Sequence, residues 1–211
     1  SVIETMIMAV IISMVIIWLF FGDLKASLIV GSSIPVSILA SLILMQLMGF
    51  SLNVITLSAL VLGVGMMVDN STVVLESCFR ATDDTGFREF SKAALNGTGV
   101  VYQSVIGSTL TTCVVFLPLA MLGGMTGMMF RPLGFTIVFC MTASLISAIT
   151  VVPLCYMIYK PIEKKTAPLS RPVEKMQEAY RTIMRSLLKK RGLVMLASVL
   201  LLLFSFFLAR F

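Results

Sequence analysis

The stretch GVGMMVDNSTVVLE, residues 63–76, sets Asp69 and Asn70 inside a run that is otherwise free of charge from Leu52 to Leu75. Burying a charge at bilayer depth costs several kcal/mol, so such a side chain faces a polar interior and carries function. On a helix Asp69 lies about 10 Å deeper than Glu76, at roughly 1.5 Å per residue. Ser58, Leu62, Gly65, Asp69, Thr72 and Glu76 form one stripe, and Ala59, Gly63, Met66, Asn70 and Ser77 form the next. Small residues above the polar pair let another helix approach closely, so the carboxylate is expected to point at protein or trapped water.

An apolar surround favours the neutral form of a carboxyl. A carboxyl that takes up a proton on one side and releases it on the other is a proton-coupling element. The membrane potential adds about 2.3 kcal/mol per charge per 100 mV, enough to bias a conformational cycle. Asp69 and Asn70 are therefore the candidate proton relay, with Ser58, Gly65 and Thr72 as its supporting polar face. The rival reading is an aspartate held permanently in a buried network. No Lys or Arg falls in the apolar interior of a span. Either Asp69 is neutral for part of a cycle, or its cationic partner lies on another segment.

The elements that must position this pair are membrane helices. The chain has 211 residues, 58% hydrophobic and 12% charged, more apolar surface than a water-soluble domain can hide. A span takes roughly 20 apolar residues. Six segments qualify, at 2–21, 27–48, 52–76, 99–122, 133–158 and 193–209. The expected fold class is an all-α membrane protein of six transmembrane helices plus a cytoplasmic interfacial helix. Pro35 in the second span frees a backbone carbonyl, which Ser32, Ser33 or Ser37 could satisfy. Pro118 and Pro153 read as kinks or stops.

Lys and Arg set the orientation. Loops 22–26, 77–98 and 159–192 lie on one side of the six spans and hold every basic residue except Arg131 and Arg210. They are expected to be cytoplasmic, with both chain ends on the outer side. The net charge of +6 is thus topological, and no nucleic-acid partner is expected.

Two cytoplasmic helices are expected. One is short, near 87–95, with Phe87, Phe90, Ala94 and Leu95 on one face and a stop at Asn96-Gly97. The other lies in the linker 160–192, where Val173, Met176, Tyr180, Ile183 and Leu187 recur at threes and fours opposite Glu174, Lys175, Glu178, Arg181 and Arg185. A basic amphipathic helix beside a span belongs in the membrane interface; docking of a regulatory partner is the alternative.

Cys78, Cys113, Cys140 and Cys155 lack metal-ligand spacing and read as reduced thiols. With no histidine, imidazole catalysis and His metal sites are excluded. There is no nucleophile–base pair and no phosphate loop, so no enzyme and no catalytic residue is expected. Met121, Met125, Met128 and Met129, in MLGGMTGMMF, invite a soft-metal reading. The other reading is packing, since sixteen methionines are scattered over all spans, and no metal site is assigned. The start, SVIETMIMAV, has no basic region ahead of its apolar run, and the end stops at Arg210-Phe211. Both ends read as cut, and the chain as a piece of something larger.

GFSLNVITLSALVLGVGMMVDNSTVVLES, TGFREFSKAALNGTG and LPLAMLGGMTGMMFRPLGFTIVFCMTASLISAITVVPLC resemble, in order, the resistance-nodulation-division (RND) transporters, and within them the hydrophobe/amphiphile (multidrug) branch. The resemblance is in register from Ser1 to about Lys160 and looser to Phe211. It implies a twelve-helix transmembrane domain in two pseudo-symmetric halves, with large outer domains after the first span of each half. This chain would hold the second to seventh spans. Residues 168–190 are similar to the family's linking amphipathic helix.

The resemblance also implies that Asp69 is the proton-titrating carboxylate, paired with a lysine from the second half. Many multidrug members carry two adjacent aspartates, whereas here Asn70 follows Asp69, which leaves the proton stoichiometry open. The expected function is the membrane part of a proton-driven exporter of drugs or amphiphiles. It would need no cofactor beyond the proton motive force and would be multi-pass in the inner (cytoplasmic) membrane. Implied partners are the second half and outer porter domains, further copies in a homotrimer, a membrane-fusion adaptor, an outer-membrane channel and the bilayer. The rivals are export of heavy metal ions or lipids, and a non-transporting scaffold or sensor.

Overall fold

The computed structural model describes residues 2–85, 89–161, 170–189, 192, 195, 198–202 and 205. The described elements are all α-helical, as the apolar runs require. Two compact units divide the chain, residues 1–167 and 168–211.

The first unit holds α1 (Val2–Phe21), α2 (Leu24–Leu47), α3 (Val54–Thr85), α4 (Phe90–Ala120) and α5 (Gly124–Tyr159). α2, α4, α5 and the Val54–Asp83 part of α3 are long and apolar enough to cross a membrane, and α1 has a shorter apolar run, Ile7–Phe21. α5 is the hub, packing against α2, α3 and α4, while α1 packs on α2 and α3. Only a few residues separate successive helices, and each helix packs on the next. Asp23 caps α2, its carboxylate accepting from the Lys25 N–H at 3.1 Å. Asn53 and Thr56 start α3 reciprocally: the Thr56 N–H donates to Asn53 Oδ1 at 2.9 Å, and the Asn53 N–H to Thr56 Oγ1 at 2.8 Å.

The helices outrun the apolar runs. α3 continues past Glu76 to Thr85, and α4 begins at Phe90, well before residue 99. The short helix expected near 87–95 is therefore not separate: its described part, from Phe90, is the first turns of α4. Residues 86–88 lie outside the described residues. Asn96-Gly97 is not a stop. A Cβ on Gly97 would come within 2.7 Å of the Cys78 Cα, so the glycine is there to let α4 touch the α3 backbone. The propensity cost of an internal glycine, about 1 kcal/mol, is offset by that packing. Around it Ala93, Ala94 and Cys78 are buried, and the Ser77 hydroxyl donates to the Gly97 carbonyl at 2.8 Å.

Proline and serine in α2 behave differently from expectation. Ser32 and Ser33 donate to the carbonyls of Ile29 and Val30, each at 2.8 Å, and Ser37 to that of Ser33 at 2.8 Å. None serves the Gly31 carbonyl that Pro35 leaves without its helical donor. Pro118 and Pro153 sit inside their helices, together with Pro132. At the Lys/Arg-rich end an aromatic cluster closes the core: Phe79 stacks on Phe21 at 5.2 Å and meets Tyr156 edge-on at 5.5 Å. The Tyr156 hydroxyl lies 2.6 Å from Thr82 Oγ1.

In the second unit α6 spans Ser170–Lys189, matching the expected amphipathic helix. Met176, Tyr180, Ile183 and Leu187 are exposed along its apolar stripe. Of the sixth expected span, 193–209, residues 195, 198–202 and 205 are helical and the rest lie outside the described residues.

Candidate functional site

Asp69 stands near the middle of α3, fifteen residues after Val54 and fourteen before Asp83, the ends of the apolar part of that helix. One face of α3 is packed into the bundle through Leu60, Val64, Met67, Ser71 and Leu75. Gly63 belongs to that face, where a Cβ would lie 3.0 Å from the Cys140 Cβ on α5. The small residues expected to admit a neighbour thus do so on the Gly63 stripe.

The stripe carrying Asp69 lies elsewhere. Ser58, Leu62, Gly65, Asp69, Val73 and Glu76 are all exposed, and nothing lies within 4 Å of a Cβ placed on Gly65. Among the described residues no hydrogen-bond donor or cation reaches the Asp69 carboxylate. The expected supporting hydroxyls do not turn toward it: Ser58 donates to the Val54 carbonyl and Thr72 to the Val68 carbonyl, each at 2.7 Å. Ser58 and Gly65 share its face, whereas Thr72 is half-buried at the edge. Glu76 pairs with Arg80 one turn on. The expectation that Asp69 points into protein is therefore not met within this chain, which leaves the α3 face around it open.

Asn70 has the buried position instead, with 7% of its surface exposed. Its Nδ2 donates to Thr109 Oγ1 on α4 at 3.2 Å and to Ser144 Oγ on α5 at 3.3 Å. The Ser144 hydroxyl donates to the Met67 carbonyl at 3.3 Å, returning the chain of bonds to α3. One amide therefore ties three helices. Beside it Ser71 Oγ lies 2.8 Å from Ser33 Oγ of α2, and Ser147 Oγ of α5 donates to the Ser33 carbonyl at 3.3 Å. Thr109, Ser144, Ser71, Ser33 and Ser147 were not singled out from sequence as partners of this site. The available signal was hydroxyls at helical spacing inside apolar spans, at 33, 37 and 41 and at 144 and 147.

No group of His, Cys, Asp or Glu among the described residues is arranged to hold a metal. Met125 and Met128 are 85% and 81% exposed at the start of α5. All four cysteines are free, Cys78 and Cys140 buried and Cys113 and Cys155 half-buried.

In chemical terms the site is an ionisable carboxyl in mid-span on an open face, one residue from a neutral amide locked into the bundle. A model of the AcrB/AcrD/AcrF family matches residues 1–211. The chain is 36% identical over 212 residues to the swarming motility protein SwrC of Bacillus subtilis, covering 96% of this chain and 20% of that protein. It is 33% identical over 196 residues to the multidrug resistance protein MdtC of Salmonella schwarzengrund (90% and 19%). Over 164 residues it is 34% identical to the toluene efflux pump membrane transporter TtgE of Pseudomonas putida (77% and 16%). The chain spans about a fifth of the length of the first two relatives and about a sixth of the third.

Proposed function

The chain belongs to the AcrB/AcrD/AcrF family, and from that premise we propose that it is membrane-domain machinery of a proton-driven RND exporter of drugs or amphiphilic compounds. The observation that carries this reading is the open face of α3 around Asp69. A carboxyl in mid-span cannot face hydrocarbon cheaply, so that face is covered in the working protein by polar or cationic groups from outside this chain. Protonation changes what such a cover gains from contact with Asp69: a carboxylate holds a cation, and a neutral carboxyl releases it. Alternating between the two moves the covering helices against α3, and a conformational cycle follows at the expense of the proton gradient.

The names of MdtC and TtgE, a multidrug resistance protein and a toluene efflux pump, support export as the task and amphiphiles as the cargo. Proton antiport is the energy source, and there is no enzymatic step. The protein is multi-pass in the cytoplasmic membrane, with the Lys/Arg-rich ends of the helices in the cytoplasm and both ends of this chain outside. The exposed apolar stripe of α6 suits a helix lying in the cytoplasmic interface. The cover over Asp69 is the second half of the transmembrane domain. Outer porter domains, trimerisation, a membrane-fusion adaptor and an outer-membrane channel complete the working assembly.

The test is dye efflux by the full-length transporter in liposomes under an imposed pH gradient, with Asp69→Asn beside the parent and folded protein quantified. Efflux falls to background while dye binding persists if Asp69 couples the proton. Undiminished efflux would sink the assignment.

A further inference from the structure

Asp69 sits on the open face of α3, and in the proposed cycle its change of state has to reach the other helices of the bundle. α4 packs on α3 and α5 but buries few of its own residues. Its buried residues are Ala93, Ala94 and Gly97 at the Lys/Arg-rich end, Ala120 at the far end, and only Val105 and Thr109 between. Both ends are anchored by packing, the first against the Cys78 backbone. In mid-span Thr109 is the buried polar residue of α4, and the side chain bonded to it is Asn70.

From this arrangement we infer that Asn70, Thr109 and Ser144 form a positioning joint that makes α4 and α5 follow α3 when the state of Asp69 changes. The inference rests on the reading of Asp69 as the coupling carboxyl. The joint suits the task in three respects. Asn70 is the next residue after Asp69, so a rotation or shift of α3 that re-aims the carboxyl displaces the amide as well. The amide spends both of its N–H groups on different helices, so it cannot follow α3 without drawing on α4 and α5 together. Ser144 in turn grips the Met67 carbonyl, one turn before Asn70, so α5 is held to α3 at two successive points. Being neutral, the joint keeps its bonds at any pH, leaving Asp69 to supply the change of charge.

The joint is tested by hydrogen–deuterium exchange on the full-length transporter in nanodiscs, arranged as a mutant cycle. Asp69→Asn, a mimic of the protonated carboxyl, is compared with the parent. The same comparison is made in a Thr109→Val/Ser144→Ala background. The expected result is that Asp69→Asn alters exchange in α3 and in α4 when the joint is intact. With the joint removed the α3 response persists and the α4 response is lost. Thr109→Ser, which keeps the hydroxyl, preserves the α4 response, whereas Thr109→Val alone diminishes it. That single-site comparison decides the matter if the double variant does not fold. A merely structural role would shift the baseline exchange of α4 but leave its response to Asp69→Asn intact, and that outcome overturns the joint. Loss of efflux in Asp69→Asn without any α4 response in the parent also overturns it, while the coupling role of Asp69 stands. Survival of efflux removes the coupling role, and an α4 response that depends on Thr109 would still support the mechanical link.

Discussion

Asp69 and Asn70 are consecutive on α3, yet the first is exposed on an open face and the second is buried between Thr109 and Ser144. A helix turns about 100° per residue, so one step carries the chain from the outside of this bundle to its inside. The two residues accordingly differ in what they meet: one faces away from the bundle, and the other holds three helices together.

Substitution should separate the two roles. Asp69→Asn removes the charge and no bond within this chain, so on the proposed reading efflux by the full transporter falls to background while dye binding persists. Asn70→Ala acts on stability, removing two interhelical bonds and leaving two hydroxyls without their donor. With about 0.6 kcal/mol per such bond in a bilayer plus lost packing, the loss is about 1–2 kcal/mol. Denaturant titration of the reconstituted protein measures it, and an unchanged midpoint would deny the clamp.

Asn70→Asp should fold. Thr109 can donate its hydroxyl proton to a carboxylate, and Ser144 can do so by releasing the Met67 carbonyl, so a carboxylate finds the same partners with the bonds reversed. With a second carboxyl beside Asp69, the number of protons moved per substrate is expected to rise. Simultaneous recording of proton uptake and substrate efflux in liposomes gives the ratio.

Gly97→Ala should be harmful and Gly107→Ala harmless, although both lie in α4. The added methyl at 97 meets the Cys78 backbone at 2.7 Å, and at 107 nothing lies within 4 Å. Overpacking against backbone costs about 1–3 kcal/mol. At the open position the helix propensity of alanine brings up to about 1 kcal/mol in favour. Thermal unfolding of the two variants side by side checks the contrast.

Tyr156→Phe deletes the hydroxyl that meets Thr82 at 2.6 Å and keeps the ring contacts with Phe79 and Phe90. The expected loss is about 0.5–1.5 kcal/mol. Tyr156→Ala, which also empties the aromatic cluster, should cost about 3–5 kcal/mol. Equal losses for the two would mean that the hydroxyl, and not the ring, closes that end of the core.

The helical class and the bundle elements were legible because a bilayer admits few alternatives: a run of about 20 apolar residues has to satisfy its own backbone. The ends of the helices were less legible. Polarity at Glu76 marks where an apolar run stops, but backbone hydrogen bonding carries α3 on to Thr85. Asn96-Gly97 has the composition of a helix stop and is used for a contact, because what a glycine is for depends on what approaches it, here Cys78 from nineteen residues away in sequence.

Asp69 could be found from sequence alone, since a carboxyl in an apolar run is costly wherever the helix turns. Ser58 and Thr72 could not be assessed that way: their hydroxyls bond their own helix, a local choice invisible in stripe spacing. Nor could Thr109 and Ser144 be tied to Asn70, from which they stand 39 and 74 residues away. The order of residues determined that this chain makes apolar helices with one carboxyl in mid-span, because transfer free energy depends on residue type and run length. Only the packing of α3 against α4 and α5 decided which of two adjacent polar residues is clamped and which is left open, because burial and hydrogen bonding depend on which face a neighbouring helix covers.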